Sequence, residues 1–134
     1  MQGSRFIFLV RSVLDDAGER SGEFRTWMLV SSNHRPLGRA AVYFADDEAC
    51  RLAVWRLRAL VQRIRPVVAV DPGGHWTWRV DLDGATVAVS TRTYLRQQEC
   101  QYNLRKFLEA LPAAELTTGV RTVRSGQSTR PRYR

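Results

Sequence analysis

A chain of 134 residues, 44% hydrophobic and 25% charged, has the composition of one globular domain with a modest core. Its two cysteines are too few for a disulfide framework and lack the CxxC spacing of a zinc site or redox pair, and no apolar run reaches a membrane span, so a soluble, cytoplasmic protein without metal or cofactor is expected. The net charge of +8 suggests a polyanionic partner, but Arg121, Arg124, Arg130, Arg132 and Arg134 carry five of those charges in an acid-free stretch from Leu116 onward, leaving only +3 on the body.

The apolar run from Phe6 to Val10 is closed by Arg11, too short for a signal-peptide core, and it predicts a strand from Arg5 to Val13. Alternation and aromatic or β-branched enrichment predict further strands from Arg25 to Ser32 and from Arg39 to Phe44. A helix follows: in DDEACRLAVWRLRALVQRI, Cys50, Ala53, Val54, Leu57, Leu60, Val61 and Ile64 fall on one face, with Asp46 as N-cap and Asp47 and Glu48 at the positive end of the dipole. Strands from Pro66 to Asp71, His75 to Leu82 and Ala85 to Thr91 come next, separated by the glycine turns DPGG and DLDG. A second helix from Gln97 to Leu111 turns Cys100, Leu104, Phe107 and Leu111 inward and stops at Pro112. TTGVRTV predicts one more short strand, and SGQSTRPRYR a flexible basic tail over 125–134.

The chain echoes itself. Phe44 and Tyr94, Cys50 and Cys100, Val54 and Leu104, Leu57 and Phe107, and Val61 and Leu111 all stand fifty positions apart, while Trp27 and Trp78 stand one further, as a single insertion in a hairpin produces. The pattern predicts an α+β domain over 1–124, made of two tandem strand-strand-strand-helix repeats, about 5–65 and 66–124.

These motifs resemble the YegP-like family, small duplicated or dimeric domains of unassigned function. The matching features are an aromatic-rich strand (FRTWML at Phe24 to Leu29, HWTWRV at His75 to Val80) and a hairpin turn (Asn33-His34, Asp83-Gly84). A small-residue strand bearing a serine (AVS at Ala88 to Ser90) follows, then an aromatic before each helix (Phe44, Tyr94). This sequence departs from the pattern at Ala40 or Ala41 in place of the serine, at Arg96 in place of a small polar N-cap, and at Asn103 in place of a small packing residue. The resemblance implies one antiparallel sheet shared by both repeats, both helices on one face, and the strand after each helix (Pro66 to Val70, Thr117 to Val123) exchanged between repeats. It implies no reaction, cofactor or catalytic residue.

Residues that chemistry would use have plainer explanations. Cys50 and Cys100 occupy equivalent inward helix positions, where free cysteine packs as a small hydrophobe, although each lies in the first turns of a helix, where a thiolate is favoured. His34 and His75 lack ligand spacing or an evident nucleophile, and no nucleophile elbow, HExxH or phosphate loop occurs. Trp76 and Trp78 share one strand face, and Thr77 and Arg79 the other; aromatics on an open sheet face near Arg25, Arg79 or Arg92 would make a stacking platform for single-stranded nucleic acid, but core packing is the better reading for Trp78, given its repeat partner Trp27. Trp55 lies off the apolar helix face beside Leu52 and among Arg51, Arg56 and Arg58, a combination favoured at interfaces.

The reading that follows is a non-enzymatic basic module that engages nucleic acid or a ribonucleoprotein through phosphate contacts. Arg121, Arg124, Arg130, Arg132 and Arg134 are the expected binding residues, and Arg51, Leu52, Trp55 and Arg58 a second, partner-binding patch. The alternative is a protein-interaction subunit anchored on Leu52 and Trp55.

Overall fold

The computed structural model describes residues 3–123, so Arg124, Arg130, Arg132, Arg134 and the 125–134 tail lie outside the described residues. Eight strands form one sheet: β1 (Arg5–Leu14), β2 (Arg20–Val30), β3 (Pro36–Ala40), β4 (Arg65–Val70), β5 (Trp76–Leu82), β6 (Ala85–Val89), β7 (Glu115–Leu116) and β8 (Arg121–Val123). Two helices, α1 (Asp47–Ala59) and α2 (Gln97–Ala110), follow β3 and β6, and a 3-10 turn at Val61–Arg63 ends the first helical segment short of Ile64. The order across the sheet is β4-β5-β6-β3-β2-β1-β7, with β8 also beside β1.

The sheet is mixed, which corrects the expectation of a purely antiparallel one. Every pairing from β4 to β1 is antiparallel, but β7 and β8 run parallel to β1, through Arg5↔Glu115, Phe6↔Leu116 and Leu9↔Arg121. The cause is a short connection. From the end of α2 the chain reaches Glu115 in one tight turn, where the Glu115 amide donates to Ser4 O at 3.1 Å, so the returning strand starts where β1 starts and advances beside it.

Three boundaries also differ from the sequence expectation. β2 begins at Arg20, because β1 pairs with it as far as Leu14. β3 ends at Ala40, with Phe44 held only by a two-bond bridge to Arg25 (2.7 and 2.8 Å) as the chain turns toward α1. The final segment is two short strands broken around Gly119, whose φ is +80°.

The side-chain period of two sorts the strands by face. Phe6, Phe8, Trp27, Leu29, Ala40, Trp78, Val80 and Ala88 point to one side, where Cys50, Val54 and Leu57 of α1 and Cys100, Leu104 and Phe107 of α2 complete a single buried cluster. Trp27 stacks on Phe107 at 6.4 Å between ring centroids, and Phe107 lies 4.7 Å from Trp78. Gly38 lies under this stack: a β-carbon there would come 2.4 Å from Phe107 Cδ1 and 2.7 Å from Trp78, so the close approach requires glycine. Asp46 caps α1 by accepting from the Ala49 amide at 2.8 Å, whereas Arg96 gives α2 no side-chain cap.

Two hairpin loops explain the one-residue difference in tryptophan spacing. Ser31 to Arg35 is a three-residue loop with His34 at φ +66°, while Asp83 and Gly84 form a two-residue turn at φ +52° and +83°. Among the described residues, no helix is long and apolar enough to cross a membrane.

Candidate functional site

The face of the sheet opposite the helices is built from the alternate strand positions. Reading the pairings across the sheet gives one transverse row, Val67–Arg79–Val89–Arg39–Met28–Ile7. Arg39 and Arg79 both pair with Val89, so their backbones stand about 10 Å apart, two strand spacings. Arg11 extends the basic surface along β1, and Arg92 enters from the segment before α2.

The four arginines, with Val67, Val89 and Met28, line a concavity of about 770 Å³, with Thr26, Thr77, Ser90, Thr91 and Thr93 as hydroxyl neighbours. Its lining contains four arginines and no carboxylate. The arginine heads are positioned by neighbours: Arg11 Nη1 donates to Tyr43 Oη at 3.3 Å, Arg39 Nη1 to Ala40 O at 3.3 Å, and Arg79 Nε to Asp81 Oδ2 at 3.2 Å. Thr86 Oγ1 also donates to Asp81 Oδ1, at 2.9 Å, and the Arg92 guanidinium sits 4.9 Å over the Tyr94 ring. A guanidinium has five donors in a rigid fork, so a bond to Tyr43, or one N–H shared between the two Asp81 carboxylate oxygens, orients it without exhausting it. The arrangement can receive an anion with several oxygens. It offers no nucleophile paired with a base.

Half of these arginines were missed by sequence reasoning. Arg79 and Arg92 were singled out, but Arg11 and Arg39 were not, although the signal was present: once Trp27 and Trp78 are fixed inward, period two places Arg79 outward, and hairpin register does the same for Arg39.

The same alternation puts Trp78 in the core, as its repeat partner Trp27 leads one to expect, and Trp76 beside it rather than on an open-face platform. Trp78 is buried toward the helices and donates from Nε1 to Asn103 Oδ1 at 2.6 Å, and Trp76 packs against the same core. That bond also explains Asn103, since a buried indole N–H needs an acceptor. Arg25 likewise faces the helix side, paired with Asp47 at 3.3 Å.

Of the expected binding residues, Arg121 places its backbone beside Leu9 at the start of β8. On α1, Leu52 is 64% exposed and Trp55 60%, with the Arg58 guanidinium 5.8 Å over the Trp55 ring and also donating to Pro112 O at 2.9 Å. Arg51 differs from them. It covers the Phe8 ring at 4.0 Å and donates to Thr117 O and Gly119 O at 2.9 and 3.2 Å, tying α1 to the parallel strands.

Both cysteines are fully buried. Burial, with a smaller contribution from the Asp47 charge, pushes the Cys50 thiol up to about 12, and burial also raises Cys100. Neither is a reactive thiolate at neutral pH. Among the described residues, no three His, Cys, Asp or Glu side chains cluster as a metal site.

No family model and no curated protein matches the sequence. The architecture does match solved structures. The protein of unknown function yegP from E. coli superposes with a TM-score of 0.60 at 8% identity, over 95% of this chain and 98% of that one. The fold is YegP-like. The UPF0339 protein SO3888 from Shewanella oneidensis is also similar, with a TM-score of 0.55 at 8% identity over 86% of this chain and 90% of that one. Identity this low leaves the YegP-like likeness to the backbone, and the chemistry of the open face belongs to this sequence.

Proposed function

We propose that this protein is a non-enzymatic binding module that engages nucleic acid, free or in a ribonucleoprotein, through phosphate contacts with little sequence preference. The observation that carries the reading is the open sheet face, where Arg11, Arg39, Arg79 and Arg92 line one concavity without a carboxylate among its lining residues. The acid-free C-terminal stretch with its five arginines adds a second cationic element in the same chain. Polar threonines between the arginines suit sugar and phosphate oxygens, and nothing in the lining reads base edges through paired donors and acceptors.

The two halves are inferred to be copies of one strand-strand-strand-helix unit. Support comes from two equivalent bridges, Arg25↔Phe44 and Trp76↔Tyr94, and from the central antiparallel pair of β3 with β6, which places a matching helix after each. On this reading the open face spans both copies.

The test is binding of labelled single-stranded and double-stranded DNA and RNA across a salt series, comparing the full chain with one ending at Arg124. Steep salt dependence that survives truncation assigns the binding to the sheet face; dependence that vanishes assigns it to the tail. No binding at low salt refutes the proposal. The second reading, a protein interface on α1, is favoured by the exposure of Leu52 and Trp55 side by side with Arg58. It predicts a partner whose capture is insensitive to salt and lost in Trp55→Ala.

A further inference from the structure

The two edges of the sheet are finished differently. At one edge β1 is covered by β7 and β8; at the other, β4 has a strand neighbour on one side only among the described residues. An edge strand with apolar residues and free backbone groups is a template for another strand. β4 reads RPVVAV, and Val70 is 48% exposed.

Hydrogen bonding in the adjoining hairpin shows which groups point outward. The Asp71 amide donates to His75 O at 2.9 Å, so Asp71 and His75 face each other, and alternation then turns Ala69, Val67 and Arg65 toward β5. Trp76 confirms the phase, because it exchanges both backbone bonds with Tyr94 on its far side, at 2.7 and 2.8 Å. The N–H and C=O groups of Val68 and Val70 therefore face outward, together with the C=O of Pro66, which has no N–H.

We infer that β4 pairs antiparallel with β4 of a second copy of this chain, with Ala69 on the two-fold axis. In that register Val68 lies opposite the other copy's Val70 and each pair exchanges both bonds, so all four outward groups on each strand's two valines are satisfied. The prolines select it: centring on Val68 sets Pro66 against Val70, centring on Val70 sets Pro72 against Val68, and either leaves a valine carbonyl facing a nitrogen without hydrogen. Charge agrees. Arg65 of one strand falls diagonal to Asp71 of the other, within reach of a long side chain, and no like charges are opposed.

The pairing has a consequence for the binding face. Val67 and Ala69 lie on the arginine-lined side of the sheet, so the two concavities become parts of one continuous surface, and the exposed Val70 side chain packs beside Val68 on the helix side. The inference rests on backbone geometry and holds whether or not nucleic acid binds.

Ala69→Cys tests it directly. Residues at the axis form a non-hydrogen-bonded pair with Cα atoms about 4.5 Å apart, a separation that accepts a disulfide. Under mild oxidation, Ala69→Cys should become a covalent dimer of twice 15.3 kDa, while Val67→Cys, on the same face but off the axis, should not; the native thiols are buried. Val70→Pro removes an outward N–H that β5 does not use, so it should keep the native thermal melt and abolish the dimer seen by sedimentation as concentration rises. Absence of both cross-linking by Ala69→Cys and self-association of the native chain overturns the inference. So does a dimer that Val70→Pro leaves intact, or equal cross-linking at Val67.

Discussion

The same strands present two chemically opposite faces. On the helix side, Phe6, Trp27, Leu29, Trp78 and Val80 make an aromatic and aliphatic core with Phe107 wedged between two indoles. One residue along each strand, the open side carries Arg11, Arg39 and Arg79 among valines and threonines. The difference teaches a division of labour. Volume and contact decide the first face, where an added methyl has no room at Gly38; charge and spacing decide the second, where neighbouring groups orient the arginines and leave them partly exposed.

Substitutions on the packed side should therefore cost stability, and the largest effect is expected at its centre. Phe107→Ala removes the ring between Trp27 and Trp78 and should lower unfolding free energy by about 4 kcal/mol in a denaturant titration. Gly38→Ala should cost about 3 kcal/mol by overpacking, because Phe107 and Trp78 cannot both retreat. A loss below 1 kcal/mol at either position would mean that the core is looser than its geometry. Trp78→Phe keeps most of the ring but strips the donor from Asn103, and about 2 kcal/mol is expected.

Much of this face was legible in the sequence. The spacing of Cys50, Val54 and Leu57, and of Cys100, Leu104 and Phe107, identified both helices and their inward sides, since helix periodicity is local. The parallel return of β7 and β8 was not legible, because direction there depends on where α2 ends relative to β1, a relation between residues far apart in sequence. The arginine face was hidden for a related reason. Arg11, Arg39 and Arg79 sit on three strands, and only their register on neighbouring strands brings them together. Trp78 was legible as a core residue from its repeat partner Trp27, whereas an aromatic in a strand pattern does not by itself say which face of the sheet is covered.

A pH titration sharpens the contrast at the core. The Cys50 thiol has its folded value pushed up to about 12 from an ordinary 9.0, so the unfolded chain ionises first as pH rises. The stabilising difference is fully present below pH 9 and is lost progressively between about 9 and 12. Unfolding free energy should fall in that window, and Cys50→Ala should flatten the fall. At neutral pH both thiols should react with a thiol reagent only as fast as the protein opens; rapid modification of the folded chain would contradict their burial.

On the open side the expectation reverses. Arg39→Ala and Arg79→Ala should each change stability by no more than about 0.5 kcal/mol, since neither side chain belongs to the buried cluster. A larger loss would mark these arginines as structural.

The most direct test of the account is the salt dependence of single-stranded oligonucleotide binding by the Arg39→Ala/Arg79→Ala double variant of the full chain, set against the unsubstituted protein. Each lost phosphate contact to a single strand should reduce the slope of log affinity against log salt by about 0.7, so the account predicts a reduction of about 1.4 with the melting curve unchanged. An unchanged slope and affinity would contradict it, because the arginines of the open face would then make no contact with phosphate.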